Sequence, residues 1–213
     1  GNIISPILAN IYMHNVLTLW YKFVIKSNTF GKSFLAVYAD DFIAGFQYKE
    51  DAERYYVSLK ERLKKFNLEL EESKSRMIEF GRYAEANSKR KYGKKPEIFD
   101  FLGFTFYCGK GKKSGNFCVK LKTNRKKFQQ KLKAVKEWLY EHQTMPVKEL
   151  IMKLNTKLVG HYRYYGVSHN IAKIGAFLHF VQRYLFKVLN RRCHKKSYTW
   201  DGYIEMLKVY PLA

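Results

Sequence analysis

Two adjacent carboxylates interrupt an apolar run, and this conflict restricts what residues 34–46 can fold into. The run reads FLAVYADDFIAGF, with Asp40 and Asp41 in its middle. A buried carboxylate is costly unless it is paired or bound to metal, and two neighbouring carboxylates also repel each other. We therefore predict two short, mostly buried strands, at residues 34–38 and 42–46. A tight hairpin joins them and places Ala39, Asp40 and Asp41 at or beside its tip.

The charge balance of the chain predicts an acidic partner. The 213 residues include 40 Lys and Arg against 18 Asp and Glu, a net charge of +22. Such a field attracts nucleic acid or an anionic membrane surface. Residues 120–213 hold 20 basic and 5 acidic side chains, whereas residues 1–119 hold 20 and 13. The second half is therefore the stronger candidate for a nucleic-acid clamp.

Targeting signals and cysteine usage bear on the compartment. No apolar run reaches the length of a membrane span, and no charged leader with a cleavage site opens the sequence. We therefore expect an intracellular, cytoplasmic protein without a membrane partner. The cysteines Cys108, Cys118 and Cys193 form no CxxC pair, so reduced thiols are expected. A Cys108–Cys118 bridge across a hairpin is the less favoured alternative.

Residues 1–122 carry the mixed pattern of an α+β fold. Ser5 suits an N-cap and Pro6 the first helical position, so a helix is expected to run to about residue 22. Apolar spacing predicts a second helix from Glu50 to near Asn67, and short strands at 68–70 and 77–80 would return to the sheet of the hairpin. These elements suggest a ferredoxin-like antiparallel sheet with helices. A polar, basic loop is expected at 82–96, and further strands within 98–108 and 116–122.

Residues 123–213 are predicted to be helical. Thr123 suits an N-cap, and apolar residues recur at helical spacing in three successive segments of residues 123–190. A short basic element at 191–213 follows. The expected domains are therefore 1–122, 123–190 and 191–213.

Rigid carboxylates in a strongly basic chain favour a divalent metal site. Most Asp-Asp turns are merely exposed turns, and that alternative stays open. Here, however, apolar strands on both sides would fix the tip, and Mg²⁺ relieves the repulsion between carboxylates and phosphates. Two such cations about 3.5–4 Å apart can hold the attacking and leaving oxygens of a phosphoryl transfer in line. The pair therefore indicates nucleotidyl transfer.

Six segments, which follow one another along the chain in the order of the family's motifs, resemble parts of reverse transcriptases. YADD at residues 38–41 resembles their Y-x-D-D signature, and GNIISPILANIY resembles the end of the preceding palm motif. NLELEESKSRMIEFG resembles the motif that carries a lysine beyond the palm helix, and FDFLGFTF resembles the primer-grip hairpin. LNTKLVGHYRYYGVSHN and RRCHKKSYTWDGYIEMLKVYPL are similar to the thumb, or maturase, region of bacterial group II intron reverse transcriptases. The resemblance covers essentially the whole chain.

The resemblance implies part of a polymerase palm followed by an all-helical thumb, and an RNA-directed DNA polymerase with two Mg²⁺ ions, for which Mn²⁺ could substitute. Asp40 would be the principal metal ligand and Asp41 its partner, and Lys74 would face the triphosphate and protonate the departing pyrophosphate. The implied nucleotide- and primer-binding residues are Tyr38, Ala39, Ser5, Pro6, Asn10, Leu102 and Gly103. A solvated lysine, a plain N-cap and a strand bulge are the competing explanations for Lys74, Ser5 and the Leu102-Gly103 pair.

The resemblance also implies that the thumb region binds nucleic acid. The partners would be an RNA template or intron RNA, a DNA or RNA primer, and deoxynucleoside triphosphates. A single lysine is more often simply solvated, and tyrosines at helical spacing, such as Tyr162, Tyr164 and Tyr165, are more often core than base-stacking residues. The cations implied in binding are Arg125, Lys126, Lys127, Lys131, Lys133, Lys136, Arg191, Arg192, Lys195 and Lys196.

Two rival functions stay open. The first is a maturase-like RNA-binding protein that does not need polymerase activity, and the second is a domesticated relative in phage defence or CRISPR adaptation. By the resemblance, the first catalytic aspartate of the palm and the fingers would precede Gly1. We therefore expect residues 1–213 alone to polymerise poorly or not at all.

Overall fold

The chain folds into two compact units of mixed helix and sheet. The computed structural model describes residues 4–112, 114–192 and 198–213. Its first unit is Gly1–Ile78 and its second is Glu79–Ala213. The α+β class is as predicted. By compactness the chain divides near residue 78, whereas the sequence places a domain boundary at 122.

A long helical path opens the first unit. Helix α1, Ser5–Met13, continues through wider π-helical turns at His14–Leu19 and Tyr21–Ile25 and a final 3₁₀ turn at Lys26–Asn28. The path therefore extends past residue 22, where the sequence predicted its end. Ile4 occupies the N-cap position without a side-chain cap, so the prediction of Ser5 as N-cap is wrong. Because Pro6 tolerates any place in the first turn, it does not fix which residue begins the helix.

The core of the first unit lies between this helical path and α2, Lys49–Lys65. Its buried residues are Val16, Leu17, Tyr21, Tyr55, Leu59 and Leu63. Strands β1, Ser33–Tyr38, and β2, Asp41–Phe46, form an antiparallel hairpin. The hairpin packs against the core through Leu35, Phe42, Ala44 and Phe46.

The ferredoxin-like sheet predicted from the sequence is absent from the described residues. Their strands form two separate antiparallel sheets, β1-β2 and β3-β4-β5. Residues 68–70 and 77–80, predicted as strands, have no regular structure. Leu68 and Leu70 pack their side chains against the core, while the backbone that follows turns, with the amide of Ser75 donating to the carbonyl of Glu71 at 3.0 Å. Burial of these leucines therefore does not require strand pairing.

The second unit begins with a helix where the sequence predicted a loop. Helix α3, Ala84–Tyr92, lacks a hydrophobic period but contains good helix formers such as Ala and Lys. Gly93, with φ of 63°, ends it in the left-handed conformation. Strands β3, Phe99–Phe101, β4, Phe104–Lys110, and β5, Phe117–Thr123, follow as one sheet.

Four helices complete the second unit. They are α4, Arg125–Glu141, α5, Val147–Tyr165, α6, Ile171–Leu189, and α7, Trp200–Val209. The three predicted amphipathic helices are thus present, and their apolar stripes form one core. Asn124 rather than Thr123 caps α4, because its side chain accepts from the amide of Lys127 at 3.1 Å. Helix α7 belongs to the same core, since Tyr203 is fully buried and donates to the carbonyl of Gln182 at 2.9 Å.

No helix in residues 4–112, 114–192 and 198–213 combines the length and hydropathy that a bilayer span requires. Among these residues Cys108 and Cys118 are free thiols, as expected. Gly109, not Cys108, stands opposite Cys118 in the sheet. Cys193 lies outside the described residues.

One buried amide ties the sheet of the second unit to its helices. Asn170 is fully buried. Its Oδ1 accepts from the amide of Thr123 at 2.8 Å, and its Nδ2 donates to Thr123 Oγ1 at 2.8 Å and to the carbonyl of Tyr165 at 2.8 Å. A single side chain therefore joins the end of β5, the end of α5 and the start of α6.

Replacing Asn170 should destabilise the second unit. Asn170→Ala leaves the buried amide of Thr123 without its acceptor and removes the bonds to Thr123 Oγ1 and to the carbonyl of Tyr165, which keeps a bond from the amide of Val167. We therefore expect the free energy of unfolding to fall by about 2–4 kcal/mol. Urea unfolding measures this change. Asn116→Ala, at an exposed turn position, is the control and should change stability by less than about 0.5 kcal/mol. Equal effects of the two substitutions would contradict the linking role of Asn170.

Candidate active site and nucleic-acid interface

The carboxylate pair lies at the tip of the β1-β2 hairpin. Tyr38 and Asp41 face each other as the last strand pair, so Ala39 and Asp40 form a two-residue turn. Ala39 has φ of 52°, a conformation that costs a residue with a side chain about 1–2 kcal/mol. A positive φ at only the first central residue is the pattern of a type II′ turn, in which glycine is usual. The tip is therefore strained and depends on surrounding contacts to keep its shape.

Hydrogen bonds at the base of the hairpin hold this shape. The amide of Lys32 donates to Gln47 Oε1 at 3.1 Å, and the amide of Gln47 donates to the carbonyl of Lys32 at 2.9 Å. The buried carboxylate of Asp51 accepts from the amides of Phe30 and Gly31 at 3.2 and 3.1 Å. Arg54 pairs with the same carboxylate. The start of β1 is thus fastened to the first turn of α2.

Sequence reasoning missed Asp51 as a positioning residue. An acidic residue in the first turn of a helix ordinarily interacts with that helix's own N-terminus. Its partners here are Phe30 and Gly31, 21 and 20 residues away, a separation that no local pattern reveals. The aromatic residue that it anchors, Phe30, also carries the guanidinium of Arg54 over its ring, 4.6 Å from the centroid.

Only one face of the hairpin is packed, so the prediction of mostly buried strands is wrong. Leu35, Phe42 and Ala44 face the core, while Phe34 and Tyr38 on the other face are 60% and 64% exposed. Asp41 shares the exposed face with Tyr38, because directly paired residues point to the same side of a sheet. An apolar run cannot distinguish a strand buried on both faces from one whose second face is open.

Both carboxylates are exposed and uncompensated. Asp40 and Asp41 are exposed, and neither side-chain carboxylate has a hydrogen-bond or ion-pair partner in the part of the chain that the structure describes. Mg²⁺ takes oxygen ligands and keeps several waters, so two adjacent carboxylates suit it as partial ligands. Within the described residues, no third Asp, Glu, His or Cys completes a metal-binding cluster with them. The donor set therefore fits a divalent cation that takes its other ligands from water, substrate or further residues.

The remaining site residues predicted in the first unit lie on exposed surfaces. Ser5, Pro6 and Asn10 lie on α1, which buries none of its residues. Lys74 is exposed in a turn, where its amide donates to the carbonyl of Glu71 at 3.1 Å. A hydrogen bond with the side chain of Ser73 is the main cause that lowers the pKa of the Glu71 carboxyl, and the nearby charge of Lys74 lowers it further. The structure thus brings Tyr38, Ala39, Asp40 and Asp41 together, and it gives Lys74 a local acidic neighbour.

The predicted primer-grip pair forms a tight turn in the second unit. Leu102 and Gly103 have φ of 49° and 75°, and they connect the directly paired Phe101 and Phe104. Two positive φ angles define a type I′ hairpin turn rather than the alternative of a strand bulge. The hydroxyl of Tyr164 donates to the carbonyl of Leu102 at 2.9 Å. A Cβ at Gly103 would lie 3.0 Å from the hydroxyl oxygen of Tyr165, so the turn is seated on the end of α5.

The tyrosines and His161 of α5 serve mainly in packing. Tyr165 is buried, whereas Tyr164 is 53% exposed. The ring of Tyr164 stacks on the ring of Phe104, with 5.9 Å between the two ring centroids. The imidazole of His161 stacks on the ring of Phe177, with 3.8 Å between the two ring centroids. Burial, and secondly the nearby charge of Lys131, lower the pKa of His161 to about 4. His161 is therefore neutral near pH 7 and adds no charge to a phosphate-binding surface.

The cations of α4 are all exposed, as predicted, but they lie on two flanks of its apolar stripe. On an ideal helix, Arg125, Lys126, Lys133 and Lys136 fall on one side of the stripe and Lys127 and Lys131 on the other. Lys136 lies over the ring of Tyr184 at 5.9 Å, which places the first flank beside α6. Besides burial, the charge of Lys131 lowers the pKa of His161, which places the second flank beside α5. In the described residues only Lys133 of this group forms an ion pair, with Glu137 at 3.7 Å.

The basic cluster at the end of α6 is only partly described. The guanidinium of Arg191 lies over the ring of Tyr140, 5.3 Å from the centroid, and Arg192 is half-buried. Lys195 and Lys196, also predicted to bind nucleic acid, lie outside the described residues.

Two protein-family models match this chain, one in its first half and one in its helical region. Residues 1–106 match the family model described as reverse transcriptase (RNA-dependent DNA polymerase), which defines the class of the first region. Residues 125–203 match the model of the group II intron, maturase-specific domain. The chain therefore belongs to the family of group II intron-encoded reverse transcriptases and maturases. A comparison with curated proteins gives no match.

Two glycines with similar backbone angles allow the seat of the Leu102-Gly103 turn to be tested. Gly93 and Gly103 have φ of 63° and 75°, but only at Gly103 would a Cβ meet another group within 4 Å. Either Gly→Ala change should cost about 1–2 kcal/mol for the left-handed conformation. Gly103→Ala should cost about 1 kcal/mol more, because it crowds Tyr165. Urea unfolding of both variants measures the difference, and equal costs would show that Tyr165 does not confine the turn.

Proposed function

We propose that this chain is the catalytic and RNA-binding portion of an RNA-directed DNA polymerase that works by two-metal nucleotidyl transfer. The observation that carries the proposal is the pair Asp40 and Asp41, exposed and without a cationic partner at the tip of a strained, anchored hairpin. A chain with net charge +22 has many lysines and arginines that could have neutralised these acids. Their isolation from the described cations favours a site that a metal ion and a triphosphate complete.

In this proposal Asp40 is the principal metal ligand and Asp41 its partner on the exposed face of the hairpin. Bound Mg²⁺, or Mn²⁺ in its place, supplies charge neutralisation and alignment of the attacking and leaving oxygens. The strained turn keeps the carboxylates oriented before substrate arrives, which lowers the reorganisation that binding requires. Two carboxylates alone leave a two-metal site short of protein ligands, so further residues of the full-length protein would complete the set. Residues 1–213 alone are therefore expected to polymerise weakly or not at all.

The other predicted residues take supporting roles in the proposal. Tyr38 and Ala39 form the floor under the primer end, and Lys74 faces the triphosphate and donates a proton to the departing pyrophosphate. Ser5, Pro6 and Asn10 lie against the templating pair and the incoming deoxynucleotide. The carbonyl groups of Leu102 and Gly103 take part in hydrogen bonds within the unit, so this turn contacts the primer as a preformed surface.

The helical region binds RNA in this proposal, both as template and as the intron that the protein helps to splice. The exposed cations of α4, together with Arg191, Arg192, Lys195 and Lys196, supply the phosphate contacts. The match of residues 125–203 to the maturase-specific domain also favours a second candidate, an RNA-binding maturase that does not need polymerisation. The two candidates differ in whether loss of the carboxylates affects function.

Asp40→Asn in the full-length protein tests the polymerase assignment. It removes a metal ligand worth several kcal/mol of transition-state stabilisation, so Mg²⁺-dependent cDNA synthesis should fall by about a thousandfold or more. RNA affinity should stay within about twofold, because no phosphate-binding cation is lost. Asp201→Asn, an exposed carboxylate in the first turn of α7, is the matched control and should leave synthesis unchanged. Retained synthesis in Asp40→Asn would overturn the assignment, and intron splicing by an unmodified protein that makes no cDNA would favour the maturase alone.

RNA binding by α4 should depend steeply on salt. Changing Lys126, Lys127 and Lys131 together to Gln removes cations that have no ion-pair partner among the described residues. The slope of log affinity against log salt concentration should become shallower by about 2, since each phosphate contact contributes about 0.7–0.9. Filter binding at several salt concentrations measures the slope. An unchanged slope would show that α4 is not the clamp.

A further inference from the structure

Residues 82–95 carry a strongly basic surface to which the proposed function gives no role. This segment holds six basic residues and one acidic residue, Glu85. Its first part folds as α3 rather than as the loop expected from sequence. A helix presents its side chains in fixed directions, so the charges of this segment have a definite arrangement.

One side of α3 is fastened to the second unit. Ala84 is buried, and the carboxylate of Glu79 accepts from the side-chain amide of Asn87 and pairs with Lys91 at 3.8 Å. The hydroxyl of Ser88 lies 3.0 and 3.2 Å from the carbonyl oxygens of Lys94 and Lys95 and donates to them. Positions 84, 87, 88 and 91 have the spacing of one helix side. A helix of nine residues is marginal alone, and these contacts hold it in place.

The opposite side of α3 is basic and open. By helical geometry it carries Ala86, Lys89 and Arg90, and Arg82 and the N-cap residue Tyr83 come directly before the first turn of the helix. All five are exposed, and the ring of Tyr83 is 71% exposed. None of the three cations has an ion-pair partner within the described residues. Two uncompensated positive charges, on Lys89 and Arg90, therefore share a helix side with the small residue Ala86, and Arg82 adds a third just before the helix.

We infer that this outward side of α3 binds the sugar–phosphate backbone of RNA, as a contact separate from the α4 surface. The inference rests on the proposed function only in taking RNA as the partner. Two cations on a helix about 14 Å long and a third just before its first turn can reach more than one phosphate. The small side chain of Ala86 lets the backbone of the helix approach the strand. Tyr83 presents a ring on which a base can stack.

The chemistry of this side favours RNA over an anionic membrane. Helices that bind at a lipid surface combine a basic face with a broad apolar face that enters the lipid. The exposed large apolar side chains of α3 and its N-cap are two tyrosines, Tyr92 and Tyr83, which do not form a broad apolar face. The fastened side is held mainly by polar contacts. Charge without an apolar face is the pattern of a backbone-binding surface.

The test compares two triple variants of the full-length protein in binding a short RNA stem–loop across a salt series. Arg82→Gln, Lys89→Gln and Arg90→Gln together should weaken binding at low salt by about tenfold or more and make the salt slope shallower by about 2–3. The control, Lys49→Gln, Lys153→Gln and Lys208→Gln, removes the same charge from lysines that already pair with glutamates at 2.9, 2.9 and 2.6 Å. It should change the slope by less than about 1.

Each outcome bears on the inference. If the α3 triple behaves like the control, the α3 contact does not exist, whether or not the α4 variant loses affinity. If the α3 triple loses affinity and the α4 variant does not, the proposed clamp fails and the inference stands. If the α3 triple binds RNA normally but loses affinity for phosphatidylserine vesicles, the partner is a membrane and the inference is wrong. Circular dichroism checks that the helix content is unchanged.

Discussion

Electrostatic repulsion between two neighbouring carboxylates is the constraint on which the first unit depends. Asp40 and Asp41 are consecutive residues at an exposed tip, and no lysine or arginine among the described residues pairs with either carboxylate. A flexible turn would let the two side chains move apart. Instead, three features keep the backbone of the turn fixed. They are the pairing of β1 with β2, the packing of one hairpin face, and the hydrogen bonds from the amides of residues 30 and 31 to the carboxylate of Asp51. Repulsion between carboxylates held in this way would be relieved by a divalent cation, as the proposed function requires.

In the second unit, polar contacts hold the three-stranded sheet and its turn in a fixed position against the helices. Asn170 joins the strand end to two helices, and Tyr164 and Tyr165 seat the Leu102-Gly103 turn. Polar contacts through buried or half-buried groups specify geometry because each lost bond leaves an unsatisfied partner. The turn and the helices therefore belong to one compact body. The same unit carries most of the excess positive charge of the chain, and the cations of α4 and α3 are part of it.

Sequence patterns predicted what local physics determines. The hairpin followed from an apolar run broken by charge, and α4, α5 and α6 followed from apolar residues at helical spacing. The contacts that position the site could not be read in this way, since Asp51 and Asn170 bind partners 20 or more residues distant. Helix α3 was missed because polar contacts from Glu79 and Ser88 fasten it in place of an apolar stripe. Residues 68–70 were misread as a strand because burial of leucines is common to strands and to irregular segments.

The carboxylate pair itself was predictable, but its surroundings were not. Whether the acids were neutralised by a lysine or arginine, and whether the second face of the hairpin was covered, depended on the folded chain. The structure leaves both acids and that face open among the described residues. This openness, more than the motif, is the observation that supports the proposed metal site at the tip.

The most direct measurement of the central claim is the paramagnetic effect of Mn²⁺ on the full-length protein labelled at alanine and tyrosine. The account predicts that the amide signals of Ala39 and Tyr38 broaden first as Mn²⁺ is added, and that changing Asp40 and Asp41 together to Asn removes this effect. Broadening that begins elsewhere, or that persists unchanged in the double variant, would contradict the account.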